Sequence, residues 1–152
     1  MSQTDAQARG RLLDTLAEAV DALGDVLASL GEAYELVDDF AAERLEIALF
    51  KPAQAAYGRA RRTHAEFAQR FGLPARTFTP RTAGVDVNGA RGRIQDAVDA
   101  AHEADAALVE LQDSMLPIEY GDVELRAGIS ETRELVGPLA HSAREFVRTL
   151  GR

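Results

Sequence analysis

"LLDTLAEAVDALGDVLASLG", residues 12–31, decides the fold class. Leu13, Leu16, Val20, Leu23, Leu27 and Leu30 recur at alternating spacings of three and four residues, which places them on one face of a helix. Thr4 or Asp5 can cap the start of this helix, and Gly31 follows its last seam residue, where a C-terminal glycine belongs. The expected first helix is residues 5–30. The same apolar phase continues through Tyr34 and Val37, so a single helix running on to about residue 50 or beyond, with fewer separate helices, is the alternative.

Working outward, helical periods recur and no alternating strand pattern is present. A second helix is expected over 32–71. Tyr57, Ala60, His64, Phe67 and Phe71 form a stripe in its second half, Pro52 kinks it, and Gly72-Leu73-Pro74 ends it. A third, 88–116, carries Ile94, Ala97, Ala101, Ala104, Leu108, Leu111 and Met115 on its seam and is closed by Pro117. The fourth, 122–150, is capped by Asp122 and bent at Gly137-Pro138. These segments predict an all-α protein: one domain over residues 1–152, an up-down-up-down four-helix bundle with kinks near Pro52 and Pro138. In that topology Phe67, Phe71 and Phe146 oppose Ala97, Ala101 and Ala104. Residues 73–87 form a long connection capping one end, with Phe78 as its apolar anchor.

Composition narrows the function. With 46% hydrophobic and 28% charged residues, the 152-residue chain is globular rather than disordered. It has no cysteine, which excludes disulfides, thiolate catalysis and zinc–thiolate sites. The first ten residues hold no apolar run and no stretch is long enough to span a bilayer, so a cytoplasmic protein with no membrane association is expected. The chain is acidic, at net −8, but unevenly so. Residues 1–50 are net −8, residues 51–93 net +7 and residues 94–152 net −7.

The basic block contains "YGRARRTHAEF", residues 57–67. Helical phase puts Arg59, Arg62, Glu66 and Arg70 on the solvent side, which accounts for most of it as a wet face. Arg91 and Arg93 are different. They fall in the first turn of the third helix, where the helix dipole disfavours cations and favours an anion. Arg59, Arg62, Arg91 and Arg93 therefore make a candidate anion site at the loop end of the bundle, for phosphate or nucleic acid. Only Phe78 lies near enough to stack on a base, which weakens the nucleic-acid version.

Catalytic chemistry finds no foothold. Ser114 and Ser142 lack a nucleophile motif, no Gly-rich nucleotide loop follows a strand, and neither a cofactor nor a metal is expected. His64, His102 and His141 sit on three different expected helices. The chain lacks the Glu-x-x-His pattern of di-metal bundles, and only His64 falls on an apolar seam.

The sharpest feature is "GEAYELVDDFAAERLEIALFK", residues 31–51. Glu32, Glu35, Asp39, Glu43 and Glu46 fall on one narrow stripe, leaving an apolar arc of roughly 240° where a bundle helix needs about 100°. A second cover is implied, and a second copy of the chain is the simplest one. The expected interface holds Leu36, Phe40, Arg44, Ile47 and Phe50, in a homodimer that also offers a surface to other proteins. The sequence thus reads as a non-catalytic, self-associating helical-bundle interaction or scaffold protein. A phosphate or nucleic-acid binding module is the alternative.

Overall fold

The computed structural model describes residues 3–79, 81 and 89–150, and all its regular structure is helical. The elements are α1 (Gln3–Glu35), α2 (Asp39–Leu45), a π-helical turn (Glu46–Phe50), α3 (Lys51–Arg70), α4 (Gly89–Asp113), α5 (Leu116–Glu119), α6 (Val123–Val136) and α7 (Leu139–Leu150). No strand occurs among the described residues. The protein is an all-α helical bundle, as its periodicities require.

Three local expectations change. Gly31 does not end α1, which runs four residues further, so Thr4 and Asp5 lie inside its first turn and Gly31 inside its last. A glycine within a helix costs about 1 kcal/mol, which the buried Leu30 and Ala33 on either side outweigh. The break comes at Leu36–Asp38. Asp38 is extended and its side chain accepts a 2.8 Å hydrogen bond from the Ala41 amide, capping α2. One helix running unbroken to residue 50 is therefore also excluded.

At Pro52 the chain stays helical. The missing N–H and the ring's clash with the carbonyl four residues back are absorbed by the π turn over 46–50, which widens the helix just before it. Pro117 does not close the third helix, which ends at Asp113. It starts the single turn α5 after Met115, whose φ of 68° reverses the chain. Asp122 caps α6 as expected, while Gly137-Pro138, expected to bend a single helix over 122–150, divide it into α6 and α7.

The directions of the helices also differ from expectation. One buried cluster joins residues 20–33 of α1 to Ala53 and Ala60 of α3, Ile94 and Ala104 of α4, and Leu139 and Phe146 of α7. A second joins Leu12 and Leu16 to Phe67, Leu111, Leu125 and Ile129. Helices 39–70 and α4 therefore both run from the first cluster toward the second, and the order is up-down-down-up. Phe146 shares the first cluster with the small residues Ala97, Ala101 and Ala104, but Phe67 and Phe71 lie at the opposite end. α1 packs against both α3 and α4, α3 against α6, and α4 against α7.

A parallel pair of helices needs a connection that travels the length of the bundle, and residues 73–81 begin it. Phe71 and Gly72 close α3 with the Leu73 amide bonded to the Ala68 carbonyl at 2.8 Å, and Gly72 adopts φ 65°, which favours glycine. The chain then climbs along α1. Arg76 pairs with Asp21 at 2.8 Å, and Arg81 reaches Asp21 at 3.6 Å and Asp25 at 3.4 Å. Phe78 packs on the first cluster, so it is an anchor, but of a strap rather than an end cap. Residues 80 and 82–87 of the expected loop lie outside the described residues.

Candidate interaction surface

The corner between α1 and α2 exposes large apolar groups that ordinary folding would bury. Phe40 is 72% exposed, Ile47 67%, Leu36 55% and Tyr34 41%. They are exposed because Ala41, Ala42, Leu45 and Leu49 already fill the inward side of the same stretch. Acidic side chains flank them: Asp38, Asp39, Glu43 and Glu46 all face solvent.

Arg44 organises this corner. Its guanidinium lies 5.2 Å from the Phe40 ring centre and 5.4 Å from that of Phe146, and it donates a 2.8 Å hydrogen bond to Thr149 Oγ1. Its Nε is buried with no hydrogen-bond partner. Arg44 thus ties the π-turn region to α7 and holds Phe40 upright. Beside it, Ile47, Ala48, His141, Phe146 and Thr149 line an open depression of about 460 Å3. Phe50 departs from expectation. It is half-buried against the core and only edges a shallow recess of about 260 Å3 with Tyr34 and Glu46. The extra residue in the π turn shifts the helical phase and rotates Phe50 inward.

The four arginines expected to hold an anion are not brought together. Arg59 on α3 pairs with Glu131 of α6 and donates to Thr63 Oγ1 at 3.0 Å. Arg62 is exposed and reaches the Gly58 carbonyl at 3.4 Å. Arg93 is buried, 7% exposed, with Asp96 3.8 Å away. Arg91 is exposed on α4, across the bundle from α3. The expectation assumed that the third helix starts where the second ends, and the parallel arrangement removes that premise. Much of the basic block is instead paired with the acidic segments: Arg59 with Glu131, Arg70 with Asp122, Arg76 with Asp21, and Arg81 with Asp21 and Asp25.

Two features escaped the sequence reading. A groove of about 550 Å3 runs between α4 and α7, with Ile94, Val98 and Val147 along its floor and Arg91, Arg144 and Arg148 at its rim. The only signal for it was the i,i+4 spacing of Arg144 and Arg148, on a face that read as solvent. Met115, Ile118 and Val123 form a smaller exposed apolar group at the opposite end of the bundle.

The histidines do not converge. His64 is buried under the strap, with the Phe78 ring 5.1 Å away in an edge-on arrangement, while His102 and His141 are exposed. Burial and the Arg76 charge push the His64 imidazole below its ordinary pKa, against an opposing hydrogen bond to the Leu13 backbone and the Asp14 charge. Among the described residues no three His, Asp or Glu side chains gather as metal ligands, and no helix is long and apolar enough to cross a membrane. No protein-family model, curated protein or solved structure matches the chain.

Proposed function

We propose that this chain is a non-catalytic interaction module that self-associates as a homodimer through Leu36, Phe40, Arg44 and Ile47, with Phe50 at the edge of the contact. The cytoplasmic setting expected from the sequence belongs to the same proposal. One observation carries it: Phe40 and Ile47, two turns apart and 72% and 67% exposed, flank an arginine already held over the Phe40 ring. Burying such a side chain contributes about 1.5–3 kcal/mol, so a few of them on each of two copies offset the cost of association. Arg44 supplies the kind of pre-positioned anchor that interfaces favour.

The test is molar mass in solution. Light scattering at micromolar concentration should give twice the monomer mass, and Phe40→Glu with Ile47→Glu should give the monomer at unchanged helicity. A wild-type chain that stays monomeric at high concentration would sink this reading.

A further inference from the structure

The exposed α2 face and the α4–α7 groove are complementary, and α7 lies between them. Residues 141, 142, 145, 146 and 149 of α7 border the depression beside Ile47, while residues 143, 144, 147 and 148 border the groove. Both are at the same end of the bundle, since Leu30, Leu49, Val98, Leu139 and Ala143 surround one small void there. The α2 face presents Phe40 and Ile47 with Asp39, Glu43 and Glu46 beside them, all exposed. The groove presents an apolar floor and three exposed arginines, with no carboxylate among its described lining residues.

We infer that the groove between α4 and α7 is the docking site for the α2–π-turn segment of a second copy of this chain. Phe40 and Ile47 lie over Val98 and Val147, and Asp39, Glu43 and Glu46 face Arg91, Arg144 and Arg148. Charge complementarity selects this occupant, because the chain itself carries an acidic helical segment with two protruding apolar side chains. A two-fold axis passing over α7 lets both copies make the contact at once, giving a closed, self-complementary dimer. Arg148 already pairs with Glu145 at 2.9 Å, but both side chains are half or more exposed, so that bond is easily exchanged. This inference rests on the homodimer reading and names the surface that receives the patch.

Charge reversal in two variants tests it. Arg144→Glu with Arg148→Glu alters only the groove; Asp39→Arg with Glu43→Arg alters only the helix. Each variant alone sets like charges opposite each other twice, and its dissociation constant should rise about a hundredfold or more. Mixed in equal amounts, the two variants should form a heterodimer of twice the monomer mass, because both contacts are then complementary again. A monomeric wild-type chain defeats the homodimer reading itself. A dimeric wild type with both variants still dimeric leaves that reading standing and overturns this one, as does a mixture that stays monomeric. If either variant fails to fold by circular dichroism, the wild-type dimer decides. Raising salt from about 50 to 500 mM should weaken it about tenfold or more, and no response overturns the inference.

Discussion

Gly128 of α6 lies so close to Thr63 of α3 that a β-carbon would overlap the threonine hydroxyl and methyl. It is a close approach within the α3–α6 contact. Thr63 donates its hydroxyl to the Arg59 carbonyl at 2.7 Å, Thr132 donates to the Gly128 carbonyl at 2.8 Å, and Arg59 crosses to Glu131 just beside them. The two helices approach here because Gly128 carries no side chain and the Thr63 side chain occupies the space a β-carbon would take.

Gly128→Ala should therefore destabilise the bundle. An alanine gains about 0.8–1.0 kcal/mol of helix propensity over glycine, but overpacking a fitted contact costs about 1–3 kcal/mol. The expected net loss is about 1 kcal/mol, read as a lower urea midpoint at unchanged slope. In a Thr63→Ala background the overlaps with the hydroxyl and methyl are gone and only the 2.9 Å approach to the β-carbon remains, so the same substitution should cost less than in the wild-type chain. A Gly128→Ala change that stabilises the wild-type chain would show that the helices can part without cost.

Asp122 does two jobs at the start of α6, and they can be separated. Its Oδ1 accepts from the Leu125 amide at 2.8 Å, while Arg70 of α3 grips both oxygens at 2.6 and 2.9 Å. Burial disfavours its charge, yet Arg70, the Leu125 N–H and Arg126 outweigh that and hold the carboxyl below its ordinary range. Asp122→Asn keeps an acceptor for the cap and loses the ion pair, an expected cost of under about 1 kcal/mol for so exposed a bridge. Asp122→Ala loses the cap as well and should cost about 1–2 kcal/mol. The depressed pKa makes the ion-pair share present above the usual carboxylate range and lost as pH falls through the folded value. The wild-type advantage over Asp122→Asn should accordingly vanish in strong acid, as measured by urea unfolding at two pH values.

The helices were legible because their core faces repeat at the right period: Leu16, Val20, Leu23 and Leu30 are all buried. Leu27 is only half-buried, and Val26, off the expected seam, is in the core because α1 is covered by both α3 and α4. Direction was not legible, since a seam reads the same whether its helix runs up or down. The available signal was the long connection together with the match of Arg76 and Arg81 to Asp21 and Asp25. A strap lying along α1 needs such pairs, and an end cap does not. The excess of apolar surface over 34–47 was legible from phase alone, because Phe40 and Ile47 exceed what one bundle covers. The inward turn of Phe50 was not, because a π turn breaks the 100° step on which phase arguments depend.

The strap itself gives the last prediction, through His64 and Phe78. The Phe78 ring meets the buried imidazole edge-on at 5.1 Å, and the Arg76 guanidinium stands over the Phe78 ring, 5.1 Å from its centre. His64 Nδ1 is buried without a hydrogen-bond partner, so a proton there has nothing to donate to. Its lowered pKa means the folded state binds this proton less readily than the unfolded chain, where histidine titrates near about 6.5. Stability from His64 is thus complete above that value and is lost as pH falls from it toward the folded pKa. Wild-type protein should lose stability as pH falls below about 6.5, and His64→Leu should flatten that slope. Phe78→Ala removes the cover. It should cost about 1–2 kcal/mol of packing and make the 73–79 segment more susceptible to proteolysis. Opened to water, His64 should then titrate nearer its ordinary value in an NMR experiment. An imidazole pKa that stays depressed in Phe78→Ala would show that the helices alone, not the strap, keep His64 neutral.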